Sequence, residues 1–121
     1  MKTILVVDDE ANIRRLYSEE LTDAGYRVVC AAGWEEARRA LDLEPFDLVT
    51  LDIRLGEGAD GIEALRVIKE LHPGLPVVLV TAYGEYQADF GAWAAESYVV
   101  KSSDLSELKG RIAQELGETS A

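Results

Sequence analysis

Apolar residues along this chain gather in five short runs, separated by stretches in which they recur every three or four positions. The runs are Ile4–Val7, Arg27–Ala31, Leu48–Leu51, Val77–Val80 and Tyr98–Val100. They are rich in β-branched residues and largely continuous, as strands covered on both faces are. Between them the spacing predicts helices near 11–24, 34–43, 61–71, 85–95 and 104–116.

Turn and capping residues fall at the boundaries. Gly25 follows the first helical stretch, where a left-handed C-terminal cap is expected. Asp104 and Glu107 have the spacing of a capping box for the last helix, in which Leu105, Leu108, Ile112 and Leu116 share one face. Pro73 and Pro76 bracket the turn into the fourth strand. The pattern is weakest over 85–95, where Gly91 interrupts and Phe90 and Trp93 blur the apolar stripe.

Strands alternating with helices imply an α/β architecture, with a parallel sheet covered on both sides. Such sheets bind ligands beyond the carboxyl ends of their strands, where the strand order reverses. The polar residues at those ends are therefore the candidates for chemistry. Strand one runs into Asp8, Asp9 and Glu10, strand three into Asp52, strand four into Thr81 and strand five into Lys101. If strands one and three are neighbours, Asp8, Asp9 and Asp52 converge.

Composition narrows the classes. The 121 residues suit one domain, expected to span 1–121, and 48% apolar with 29% charged residues is globular composition. No apolar run approaches a membrane span, and the four apolar residues before Asp8 are too few for a signal peptide. Cys30 is the single cysteine, lies in an apolar run and is expected to be buried, so the chain is expected to be cytoplasmic. A net charge of −11, with no cluster of Lys or Arg, argues against nucleic acid as a direct ligand.

Three carboxylates in one cleft repel by about 4 kcal/mol per pair at ~4 Å and an effective dielectric of about 20. Either one is protonated or a cation fills the site. An all-oxygen cluster favours a hard ion such as Mg²⁺, which pairs naturally with phosphate. Lys101 offers a compact positive charge and Thr81 a hydroxyl. Together they suggest phosphoryl transfer to a carboxylate. Taken singly, each residue has a plainer reading: Asp9 or Glu10 as a helix cap, Lys101 as a solvated surface group. Their shared position at successive strand ends outweighs those readings.

At these residues the chain resembles the receiver domains of bacterial two-component response regulators. The resemblance covers essentially the whole chain and rests on ILVVDDE at 4–10, LVTLDIRL at 48–55, DG at 60–61, VVLVTA at 77–82 and SYVVK at 97–101. It implies a flavodoxin-like, doubly wound sheet of five parallel strands in the order 2-1-3-4-5, with five helices. It implies Asp52 as phosphoacceptor, and Mg²⁺ held by Asp8, Asp9, Asp52 and the backbone carbonyl of Arg54. Lys101 would contact the phosphoryl group, with Thr81 and Tyr98 as the switch pair. The donor would be a sensor histidine kinase or a phosphotransfer domain. The readout would be a changed surface of helix four, strand five and helix five, through which a homodimer is one form the resemblance admits. The domain would be a signalling switch rather than an enzyme, although it would catalyse its own phosphorylation and dephosphorylation.

The chain departs from the family pattern in three places. IRLGEGADG after Asp52 lacks the usual Met-Pro and carries one extra residue. Ser102-Ser103 replaces Pro-Phe after Lys101, which predicts a trans peptide there, because a non-proline cis bond costs roughly 2.5–4 kcal/mol. Arg54 and Tyr83 flank the path of water to an acyl phosphate. The main alternative is a degenerate receiver that binds partners without phosphorylation, against which the full set of site residues argues. An aspartyl phosphatase would need a second Asp where Arg54 stands. A dinucleotide binder would need a glycine-rich phosphate loop after strand one.

Overall fold

The computed structural model describes residues 1–53, 61–81, 97–102 and 104–117, with the backbone alone at Ile62, Thr81, Ser97 and Tyr98. Its elements are β1 (Thr3–Val7), α1 (Ala11–Asp23), β2 (Arg27–Ala31), α2 (Trp34–Leu43), β3 (Leu48–Asp52), α3 (Gly61–Leu71), β4 (Val77–Thr81), β5 (Ser97–Val100) and α4 (Ser106–Glu115). The helix expected over 85–95 lies outside the described residues.

All five strands are parallel, in the order β2-β1-β3-β4-β5. The period of two along each strand divides the core in two. Leu5 and Val7 of β1 join Val49, Leu51, Val77 and Leu79 on the side covered by Ala37 and Leu41 of α2 and by Ala64, Leu65 and Ile68 of α3. Ile4 and Val6 join Leu48, Val78, Val80 and Val99 on the side covered by Tyr17 and Leu21 of α1 and by Leu108 and Ile112 of α4. Burying each such Leu, Ile or Val side chain stabilises the fold by about 1.5–3 kcal/mol. Among the described residues, no helix is long and apolar enough to cross a membrane.

Three local expectations need comment. Gly25 does adopt the left-handed conformation, at φ +101°, and its N–H donates to the Thr22 carbonyl at 3.0 Å. Cys30, expected to be buried, is exposed. The reason is strand order: β2 lies at the sheet edge, where Arg27 and Cys30, on opposite faces, are both exposed. The Asp104–Glu107 capping box does not form. Asp104 Oδ1 accepts from the N–H and Oγ of Ser106, while the Asp104 N–H donates to Ser102 Oγ. Among the described residues every peptide bond is trans, Lys101–Ser102 included.

Candidate functional site

Register brings the strand ends to one level. Val7 pairs with Leu51 of β3, Asp52 with Val80 of β4, and Thr81 with Val100 of β5. Asp8 and Lys101 each follow the last residue of their strand. Parity then aims the groups. Asp8 continues the series Ile4–Val6, Asp52 the series Leu48–Thr50, and Lys101 follows Val99 by two, so all three share the sheet side that carries α1 and α4.

There they meet. Lys101 Nζ lies 3.0 Å from Asp8 Oδ2, 3.1 Å from Asp52 Oδ2 and 3.0 Å from Glu10 Oε1. The Asp8 and Asp52 side chains are buried, whereas that of Glu10 is 60% exposed. Backbone contacts fix Asp8 further. Its Oδ1 accepts from the Glu10 N–H at 2.9 Å, its N–H donates to the Ala31 carbonyl at 3.1 Å, and its carbonyl accepts from Arg14 Nη1 at 2.8 Å.

The electrostatics follow from burial and charge. Burial raises the Asp8 carboxyl above the ordinary aspartate range, aided by the charge of Glu10, while the Glu10 N–H and Lys101 hold it down. Burial works against the charge of Lys101, but hydrogen bonds to Asp8, Glu10 and Asp52 outweigh it and hold the ammonium above the ordinary lysine range. Both shifts are upward, but for opposite reasons: at Asp8 burial outweighs the hydrogen bonds it accepts, whereas at Lys101 the hydrogen bonds to carboxylates outweigh burial.

A metal has a matching donor set. Asp8, Asp9 and Glu10 each offer a carboxylate oxygen, all within 4.8 Å of one another, with Asp8 buried and the other two exposed. Hard oxygen donors with one side open to water suit Mg²⁺, which keeps part of its hydration shell. Glu10 is the residue that sequence reasoning underrated. It occupies the N-cap position of α1 but makes no side-chain cap bond, and its carboxylate goes to Lys101 instead. The only sequence signal was a third acid after the pair. Tyr17 was also missed. Its buried ring lies within electrostatic reach of Asp8, Lys101, Asp52 and Glu10, and burial first, then the Asp8 charge, pushes its phenol up to about 12. Thr81 ends β4 and Tyr98 lies in β5, both described by backbone alone, and Arg54 and Tyr83 lie outside the described residues.

A doubly wound parallel sheet in the order 2-1-3-4-5, with buried carboxylates at the ends of its switch-point strands, defines the flavodoxin-like class of α/β domains. Within it the chain belongs to the response regulator receiver domain family, whose profile matches residues 4–113. It is similar to response regulator protein TrrA from Thermotoga maritima, solved in complex with Mg²⁺-BeF. That match has a TM-score of 0.91 and 43% identity, and covers 96% of this chain and 100% of that one. A structure of histidine kinase ThkA in complex with TrrA matches with a TM-score of 0.89 and 43% identity, covering 96% and 99% of the two chains. Regulatory protein AtoC of Escherichia coli is 40% identical over 108 residues, which is 87% of this chain and 23% of AtoC. The chain thus spans about a quarter of the length of AtoC and of response regulator protein PilR of Pseudomonas aeruginosa.

Proposed function

We propose that this domain is a switch that takes a phosphoryl group onto Asp52. The observation that carries this reading is the Lys101 ammonium held at 3.0 and 3.1 Å between two buried carboxylates, Asp8 and Asp52. A structural ion pair would use one carboxylate. Two with an exposed acid beside them form an anionic pocket that suits a bound divalent ion. Mg²⁺ would be held by Asp8, Asp9, Asp52 and the Arg54 carbonyl, and would neutralise both the carboxylates and the arriving phosphoryl oxygens.

The chain's own residues perform the transfer. An Asp52 carboxylate oxygen forms the bond to phosphorus as the donor's bond to phosphorus breaks, its electron pair leaving with the donor. Lys101 already contacts Asp52, so a phosphoryl oxygen arriving there meets a fixed cation without reorganisation. Thr81 and Tyr98, in the adjacent strands β4 and β5, are the pair through which the change is read out. The donor is the phosphohistidine of a sensor kinase in the cytoplasm, supported by the kinase complex formed by the similar TrrA. The domain also catalyses its own phosphorylation from small donors.

The test is incubation with Mg²⁺ and acetyl phosphate, read by intact-protein mass spectrometry. Wild type is expected to gain one base-labile phosphoryl group and Asp52→Asn none. Undiminished phosphorylation of Asp52→Asn would refute the assignment.

A further inference from the structure

We propose that Gly61 is a positioning residue for Asp52, required because only a residue without a side chain fits against the backbone at the end of β3. The inference rests on Asp52 being the phosphoacceptor. A Cβ at Gly61 would lie 2.4 Å from the Asp52 carbonyl oxygen, 2.5 Å from that of Ile53 and 2.6 Å from Ile53 Cα. All three are backbone atoms, so no side chain can swing aside. The requirement is space rather than dihedral angle, since among the described residues only Gly25 and Gly117 have positive φ.

Neither party is free to retreat. β3 is a central strand, its last residues paired with Val7 of β1 on one side and Val80 of β4 on the other. The Ile53 N–H donates to the Val80 carbonyl at 3.1 Å, and the Ile53 carbonyl accepts from the Gly61 N–H at 2.8 Å. α3 is held by Ala64, Leu65 and Ile68, each no more than 1% exposed. Ordinary contact begins at 3.4 Å, so a Cβ at 2.4 Å demands a displacement of about 1 Å. It falls on the residue whose carboxylate must meet Lys101 and the incoming phosphorus. A misplacement of ~1 Å at a reacting group costs on the order of 10²-fold in rate.

The test compares wild type, Gly61→Ala, Gly33→Ala and the double variant Gly61→Ala/Gly110→Ala. A Cβ at Gly33 or Gly110 meets nothing within 4 Å, and Gly110 lies inside α4, where alanine raises overall stability. Readouts are the rate of Asp52 phosphorylation by acetyl phosphate at saturating Mg²⁺, Mg²⁺ affinity by calorimetry, and the melting temperature. Gly61→Ala is expected to melt cooperatively, to lose about tenfold or more in rate and to bind Mg²⁺ about tenfold more weakly. Gly33→Ala is expected to match wild type in rate and Mg²⁺ affinity, whatever alanine costs the melting temperature at the N-cap of α2. The double variant should regain melting temperature but not rate. Wild-type rate and Mg²⁺ affinity in folded Gly61→Ala would overturn the proposal, as would recovery of rate in the double variant, which would make the loss one of stability alone.

Amide hydrogen exchange of wild type provides an arm that needs no variant. If the Gly61 contact positions the site, Mg²⁺ binding must in return slow exchange of the Gly61 N–H, because coupling is reciprocal. Exchange unchanged by Mg²⁺ would overturn the proposal even if Gly61→Ala fails to fold. A wild type that takes no phosphoryl group while Gly61 exchange slows with Mg²⁺ would instead refute the assignment of Asp52.

Discussion

Replacing Lys101 with methionine keeps the length of the side chain and removes the cation that Asp8, Glu10 and Asp52 share. The Lys101 side chain is 11% exposed, and its partners Asp8 and Asp52 are 2% and 5% exposed. Removing one member of a buried ion pair costs about 3–5 kcal/mol, because the remaining charge is left without compensation. The exposed Glu10 partner adds little, roughly 0–1 kcal/mol. Protonation sets a ceiling. An ordinary aspartate with a pKa of ~3.9 takes up a proton at pH 7 at a cost of about 4 kcal/mol, so a greater repulsion is relieved by binding a proton.

The expected loss is therefore about 3–4 kcal/mol at pH 7 without metal. At ~2.1 cal/mol/K of unfolding entropy per residue, a chain of 121 residues should melt about 12–16 °C lower. The pH dependence has a definite sign. Lys101 has a folded pKa above its unfolded value, so its contribution is complete at neutral pH and fades only as pH rises beyond the ordinary lysine range. Mg²⁺ supplies the missing charge and should narrow the gap between variant and wild type. Thermal melts followed by circular dichroism, in EDTA and in saturating Mg²⁺, make the measurement. A variant melting within about 3 °C of wild type in EDTA, or a gap indifferent to Mg²⁺, would contradict the reasoning.

Tyr17→Phe should lose little stability at neutral pH but should outlast wild type in alkali. The Tyr17 phenol is pushed up to about 12, so its contribution is present below pH ~10 and is lost as pH rises through the folded value, a difference of roughly 2.7 kcal/mol. Equal urea midpoints for the two proteins at both pH 9.5 and pH 12 would count against this placement of the ring. Gly25→Ala should cost about 1 kcal/mol, because φ +101° is a backbone conformation that alanine adopts only under strain, and should lower the melting temperature by ~4 °C. An unchanged melt would mean that the α1–β2 turn relaxes to another conformation.

The strands, and the acids and lysine at their ends, could be read directly from the sequence. Thr3–Val7, Leu48–Asp52 and Val77–Thr81 match the apolar runs to within one residue at either end, because burial on both faces leaves a continuous apolar signature. Asp8, Asp52 and Lys101 stood out because a charge at the end of such a run has no place in a core. The start of the last helix was less legible. Asp104 engages Ser106 rather than Glu107, a choice between neighbouring donors made by local geometry that spacing does not specify.

Other features depended on which strands became neighbours. Cys30 lies in a run as apolar as those of the central strands, yet it is exposed because β2 is an edge. Glu10 looked like a helix cap, and only the parallel pairing that brings Lys101 to it across 91 positions of sequence makes it a member of the site. Gly61 was one letter of a motif until α3 was seen against the Asp52 and Ile53 backbone. Hydrophobic period and turn chemistry are local, so the chain determines its own strands, helices and end groups. Strand order, edge position and close backbone approach are relations between distant segments, and only the packed sheet decides them.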